Sequence, residues 1–295
     1  MIKSIDVSII IVSYNVCDLI TKCIESIYEK IEAVTFEVIV VDNASVDNTV
    51  EKIRVNFPEV KLIASNVNLG FGKANNLGAS QAIGKYLFFL NPDTELINDA
   101  VSELYLFMET HLDVALCGAN LFTPSMQPNK SYEMFLPGFV DALAYIFNIS
   151  IPQNEDKFNT SLTPKPVVLI GGADMFMRHF VFDKVGGFDE RYFMYFEEPI
   201  FSYKIQKLQL FLYSVPTAHI IHHEGASNKK KTITTYYFFD SFLKYYHDYY
   251  PSAYWMIFYL FKLKVTVALF LSSLLHNEDK CLYWSKIKKI LLDNK

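Results

Sequence analysis

The spacing of apolar positions changes repeatedly through the first third of the chain, and each change marks an element. Val7 to Ser13 is a β-branched apolar run of strand type, and Cys17 to Ile31 carries apolar residues at helical spacing. Glu37 to Asp42 reads as a second buried strand. A helix follows from about Val46, then a strand near Val60 to Ala64, a helix near Phe71 to Ala82 and a strand from Tyr86 to Leu90. Continuous apolar runs suit strands covered on both faces, and the strand–helix rhythm predicts parallel βαβ units of an α/β fold. Ligands of such sheets bind beyond the carboxyl ends of the strands. The polar residues standing there are Ser13-Tyr14-Asn15, Asp42-Asn43, Asn66 to Gly72 and Asn91-Pro92-Asp93.

From about Thr123 to Pro166 the periodicity dissolves into Pro, Asn and Ser with short aromatic stretches, which predicts long connections around one helix. Order returns with the strand-like run Val167 to Met177, broken by Gly171-Gly172. The turn Gly186-Gly187-Phe188-Asp189-Glu190 and a helix beginning near Pro199 follow, then a strand at Ala218 to Ile221. Beyond Tyr236 aromatic and aliphatic residues dominate. Tyr254 to Leu275 is long enough to suggest a membrane span, but Lys262 and Lys264 at its centre would each cost about 2.5 to 3.5 kcal/mol there. Two readings of this segment stay open. With Lys229 to Lys231 and Lys286, Lys288 and Lys289 as flanks, it is a peripheral, membrane-surface segment; without a membrane, it is a helical pair packed on the core.

Composition narrows the class. Of 295 residues, 51% are hydrophobic and 20% charged, the balance of a folded chain. A net charge of -5 and a pI near 5.8 lack the basic excess of nucleic-acid binders, so no nucleic-acid partner is expected. Cys17, Cys23, Cys117 and Cys281 form no CxxC pair and read as reduced thiols. The apolar run after Met1 has no small-residue cleavage site, and a cytoplasmic location is expected.

The first strand ends without a GxGxxG turn, which removes most support for a nicotinamide dehydrogenase. Asp42 ends the second strand, where its carboxylate either meets a ribose hydroxyl or base N–H or caps the next helix. The run Asn68 to Asn76 pairs glycines that admit close backbone approach, Gly70 and Gly72, with amides that donate and accept, Asn68 and Asn76. The apolar strand Tyr86 to Leu90 delivers Asp93 just past its carboxyl end. A hard cation such as Mg²⁺ takes one or two protein carboxylates and completes its shell with water and substrate phosphate, so Asp93 either holds a metal against a diphosphate or forms an Asx turn.

Ser13-Tyr14-Asn15, Val41-Asp42-Asn43-Ala44-Ser45, Asn68 to Gly72, Asn91 to Thr94 and Gly186 to Glu190, in this order, resemble the inverting glycosyltransferases of family two. Within that family the chain looks closest to the bacterial rhamnosyltransferase-like members of cell-surface polysaccharide synthesis. The resemblance implies a GT-A fold with a mixed, mostly parallel sheet, a nucleoside-diphosphate sugar donor, a divalent metal (Mg²⁺ or Mn²⁺) and a saccharide or lipid-linked saccharide acceptor. It implies nucleotide-sugar contacts at Ser13, Tyr14, Asp42, Asn68, Gly70, Gly72, Asn76 and Asp93. On this resemblance Asp93 would be the metal-binding carboxylate of an aspartate-any-aspartate motif whose first position is Asn91. The family's acidic pair falls on Glu197-Glu198, with Glu198 in place of the catalytic base, and His222 or His223 joins the metal or diphosphate. Ile200 and Lys204 stand where the family usually carries an acid and an arginine. A rhamnose donor on thymidine is the leaning.

An inverting transfer needs a carboxylate to take the acceptor proton, and Pro199 suits the first helical position, which makes Glu198 the expected N-cap. The positive helix end would favour its ionised form. Adjacent histidines on a strand point to opposite faces, so one of His222 and His223 faces the site, and His222 is expected to. The expected organisation is a catalytic domain over 1–230 and a helical C-terminal segment over 231–295. The alternative is a catalytically silent protein that binds nucleotide sugar or scaffolds at a membrane surface.

Overall fold

The computed structural model describes residues 4–150, 157–223 and 231–294, the side chains of 231–233 excepted. Lys229 and Lys230, the Lys231 side chain and the 230/231 boundary therefore lie outside the described residues.

The chain divides into two compact units. The first comprises Met1–Leu136, Asp156–Arg191 and Glu197–Ser227; the second comprises Pro137–Glu155, Tyr192–Phe196 and Asn228–Lys295. This differs from a single cut near residue 230, because two interior segments belong with the C-terminal helices.

In chain order the elements are β1 (Val7–Ser13), α1 (Cys17–Lys30), β2 (Phe36–Asp42), α2 (Thr49–Asn56), β3 (Lys61–Ala64), α3 (Phe71–Ala79), β4 (Tyr86–Leu90), β5 (Thr94–Leu96), α4 (Ala100–Thr110), β6 (Val114–Phe122) and β7 (Tyr132–Glu133). After these come α5 (Phe139–Phe147), β8 (Lys165–Val167), β9 (Leu169–Ile170), β10 (Asp174–Arg178), α6 (His179–Val185), α7 (Glu197–Lys207), β11 (Phe211–His222), α8 (Lys231–Tyr249), α9 (Pro251–Leu274) and α10 (Glu278–Asp293).

Among the described residues, the first unit is built on a nine-stranded sheet ordered β3-β2-β1-β4-β10-β6-β11-β5, with β8 added on β11. β1 pairs in parallel with β2 and β4, β2 with β3, and β6 with β11, whereas β10, β5 and β8 run antiparallel to their neighbours. Successive side chains of each inner strand feed opposite faces. Ile9 and Ile11 of β1 and Phe88 and Leu90 of β4 pack with Ile20, Ile24 and Ile27 of α1 and with Leu104 of α4. Ile10, Leu87 and Phe89 pack on the other side with Val181, Phe188 and Phe201. In α1, Ile20, Cys23, Ile24 and Ile27 recur at helical spacing and are all fully buried, which is why this segment folds as a helix against the sheet.

Three boundaries shift from the sequence pattern. α2 begins at Thr49 and not at Val46, since Asp47 accepts from the Thr49 N–H and ends the preceding turn. α3 ends at Ala79, three residues before Ala82. The C-terminal segment forms three helices in place of a pair.

Arg178, at the end of β10, is a buried cation. Its guanidinium donates to the carbonyls of Val114 (2.9 Å), Met108 (2.6 Å) and His111 (3.0 Å) and to the Tyr86 hydroxyl (3.0 Å). It thereby satisfies carbonyls at the end of α4. Arg178→Met leaves these acceptors without their donor inside the protein, and unfolding in urea should show a loss of about 3 kcal/mol.

Candidate active site

The carboxyl ends of β1 and β2 lie side by side, with Ser13 in register with Asp42. Asp42 accepts from the Ser45 N–H through Oδ2 at 3.0 Å, so its local role is an Asx-type turn and not a cap on α2. Its Oδ1 and the neighbouring Ser13 Oγ are buried and have no hydrogen-bond partner among the described residues. Two such atoms side by side are costly unless a ligand or water satisfies them. The loops that follow are cross-tied: the Asn15 N–H donates to Ser45 Oγ (2.9 Å), and the Val46 N–H donates to Asn15 Oδ1 (2.8 Å). Asn15 and Ala44 both have positive φ, 56° and 66°, a strained conformation for residues other than glycine. Tyr14, directly before Asn15, is 48% exposed and open to a ring from solvent.

Asn43 carries the edge onward to α3. Its side chain donates to Asn68 Oδ1 (2.9 Å) and the Gly70 carbonyl (3.0 Å) and accepts from the Leu69 N–H (2.6 Å). Asn68 in turn accepts from the Gly70 N–H. Asn68 and Gly70 thus shape the entry to α3, and a Cβ placed on Gly72 would stand 3.0 Å from Phe188 Cβ and 3.6 Å from Glu197 Cγ. The structure sets Asn76 further along the helix as a clamp. It accepts from the Phe188 N–H (2.9 Å) and donates to the Phe188 carbonyl (2.9 Å) and Glu190 (3.1 Å), holding the Gly186–Glu190 turn. Gly187 has φ +67°, and a Cβ there would fall 2.8 Å from Asn76 Oδ1, so glycine is required by both conformation and space. Lys204 supports the same turn, donating to the carbonyls of Val185 and Gly187 at 3.2 Å each.

At the end of β4 the Asn91 N–H donates to the Ala173 carbonyl (2.9 Å), because antiparallel β10 starts where β4 stops. Cys23 lies beneath this turn, within 3.7 Å of the Asn91 carbonyl; burial pushes its thiol up to about 12, so it acts as a neutral support. Asp93 Oδ1 stands 3.4 Å from His222 Nε2, and both side chains are mostly buried. β5 and β11 bring them together, with His222 in register with Thr94. His223 turns away and pairs with Glu95 (2.8 Å), a contributor that the sequence pattern did not reveal. His222 is therefore the histidine facing Asp93.

Glu198 joins the same edge. The Gly172 N–H, next to Ala173, donates to Glu198 Oε1 at 3.1 Å, and a Cβ on Gly172 would lie 2.6 Å from that oxygen. The glycine is what lets the carboxylate approach the backbone. Helix α7 starts at Glu197, so Glu198 is a first-turn residue with Pro199 after it, not the expected N-cap. The chain enters α7 through Tyr195 and Phe196, both with positive φ (75° and 68°), and this sharp bend moves the helix start forward. The expected electrostatic balance is also corrected. Burial pushes the Glu198 carboxyl above the usual glutamate range, outweighing its own N–H, the Gly172 N–H and Lys130, which favour the ionised form. Glu197, the first residue of α7, is 3% exposed and packs beside Gly72. Asp174, two residues past Gly172, is fully buried; burial holds it well above the carboxylate range, with Oδ2 accepting from Ala119 N–H.

Asp93 and His222 form an open oxygen–nitrogen donor pair, and among the described residues no group of three His, Cys, Asp or Glu closes a metal cage. A carboxylate oxygen with an imidazole nitrogen suits a divalent transition-metal ion such as Mn²⁺, with water and substrate phosphate filling the remaining positions.

Comparison with known proteins fits this arrangement. The model of glycosyl transferase family 2 matches residues 8–186. The N-acetylglucosaminyl-diphospho-decaprenol L-rhamnosyltransferase of Mycobacterium tuberculosis is 26% identical over 206 residues, covering 64% of this chain and 67% of its own. The Escherichia coli rhamnosyltransferase WbbL is 26% identical over 226 residues, covering 74% of this chain and 83% of its own. Among solved structures, GalNAc-T7 with UDP, GalNAc and Mn²⁺ superposes with TM-score 0.57 at 16% identity, over 78% of this chain and 46% of that one. S. aureus TarS 1-349 superposes with TM-score 0.54 at 16% identity, over 88% and 65%. The chain thus spans less than two thirds of each of these two structures. A family match over more than half of the chain, including the strand ends that carry Ser13, Asp42 and Asp93, makes it a member of glycosyl transferase family 2, with the GT-A fold.

Proposed function

We propose that this chain is an inverting glycosyltransferase that moves a sugar, rhamnose or another hexose, from a nucleoside-diphosphate donor to a saccharide or lipid-linked saccharide at the cytoplasmic face of a membrane. The observation that carries this reading is the meeting, at one sheet edge, of two unsatisfied buried oxygens (Ser13 Oγ and Asp42 Oδ1), the Asp93–His222 pair and the Gly172-held Glu198. Two rhamnosyltransferases among the relatives support the sugar class, and the decaprenol-linked substrate in the name of one supports the acceptor class.

In this reading Tyr14 packs on the base, and Ser13 and Asp42 take the nucleoside. Asn68 and Gly70 shape the loop beside it, with Gly72 keeping the backbone close. Asp93 and His222 would hold a divalent cation, which supplies Lewis-acid neutralisation of the departing diphosphate. Glu198 takes the proton of the acceptor hydroxyl as its oxygen bonds to the anomeric carbon and the carbon–oxygen bond to the diphosphate breaks. The lifted carboxyl makes Glu198 a stronger base once ionised, and the Gly172 N–H orients it.

A panel of nucleotide sugars, each with and without Mg²⁺ or Mn²⁺, tests the reading by thermal unfolding. The matching donor at 100 times its dissociation constant adds about 2.7 kcal/mol of stability, and only with metal. No stabilisation by any diphosphate sugar would remove the proposal.

A further inference from the structure

Helix α9 is long and apolar enough to cross a membrane by length and composition, yet its two sides have different surroundings. Tyr254, Phe258, Phe261 and Val265 are buried against the other helices of the second unit. On the opposite side Met256, Tyr259, Leu263, Val267, Phe270 and Leu274 are all exposed and form one stripe about 27 Å long at the helical rise. Lys262 and Lys264 lie about 100° to either side of the stripe's centre, at its two borders. Lys264 is tied to the protein, donating to Asn148 Oδ1 (3.1 Å) at the end of α5.

We infer that the stripe lies in the plane of an anionic bilayer surface, its side chains among the acyl chains and Lys262 among the headgroups. This rests on the membrane-face location proposed above, but not on the transfer chemistry. Charge selects the bilayer. The second unit carries eleven lysines against seven acids, whereas the rest of the chain carries 16 basic and 25 acidic side chains. The acidic chain thus concentrates positive charge on the unit that bears the stripe, with Lys286, Lys288 and Lys289 exposed on neighbouring α10. A second copy docked stripe to stripe would bring like charges together; phosphatidylglycerol headgroups complement them. A spanning placement would carry the exposed lysines of α10 into hydrocarbon.

The test is flotation of the full chain with vesicles of phosphatidylglycerol and phosphatidylcholine or of phosphatidylcholine alone. The expected result is binding to the anionic vesicles, release at high salt, and a fall of about tenfold or more in Leu263→Glu with Phe270→Glu, because two apolar side chains leave the membrane. Metal-dependent donor hydrolysis by that variant in solution should match the parent, which separates a lost membrane contact from a lost enzyme. Should that variant not fold, Lys286→Ala with Lys288→Ala and Lys289→Ala should weaken binding to anionic vesicles alone. The inference is overturned if the parent floats with neither vesicle, if the folded variants float like the parent, if binding resists both salt and carbonate, or if the stripe variant only dissociates a dimer.

Discussion

Glu198→Gln is expected to lower sugar transfer by about 10² to 10⁴-fold while leaving donor binding intact, because the amide keeps the acceptor for the Gly172 N–H but cannot take a proton. The pH profile distinguishes this from mere disturbance. Burial raises the Glu198 carboxyl, so its base form is lost as pH falls through a value above the usual glutamate range. The acidic limb of kcat/KM for the parent should sit correspondingly high, and the glutamine variant should lack it. Steady-state transfer across pH, with donor binding measured in parallel, decides the matter; undiminished transfer by the variant would dismiss Glu198 as base.

Asp93→Ala should reduce turnover by about 10³-fold or more, the scale of losing a main charge-stabilising group, and should abolish the gain in nucleotide affinity on adding Mn²⁺. Asp93 is His222's partner at 3.4 Å, so the variant also leaves that imidazole without its carboxylate. Asp93→Asn keeps the shape and removes the charge, and the two variants should fail alike if charge is what matters. Calorimetric titration of nucleotide with and without metal is the measurement. Metal-enhanced binding that survives in both variants would return Asp93 to a turn-forming role.

Much of the sheet was legible because the inner strands are covered on both faces and must be largely apolar, as Tyr86–Leu90 is throughout and Val7–Ser13 is apart from its two serines. β6 was not, since Gly118 and Asn120 interrupt its apolar run. Asn120 is tolerated in the core only because it bonds to Asn159, donating to its carbonyl (2.8 Å) and accepting from its N–H (3.2 Å), across 39 residues. That partner sits in the stretch read as a connection. Candidate site residues were legible where they end a strand, as Ser13 and Asp42 do, or stand in the turn just after one, as Asp93 does. Glu95 and Cys23 were not, because their partners, His223 and the Asn91–Thr94 turn, lie far away in the chain.

The residue pattern alone determined the βαβ rhythm and the sheet edge where polar residues collect, because local periodicity records which faces must be apolar, while the acidic pair at Glu197-Glu198 was picked out by the family resemblance. Only the tertiary structure decided that His222 and not His223 meets Asp93 and that Glu198 is lifted by burial. These depend on antiparallel β10 lying between β4 and β6 and on β5 pairing with β11, long-range pairings whose energy comes from contacts that no local window of sequence contains.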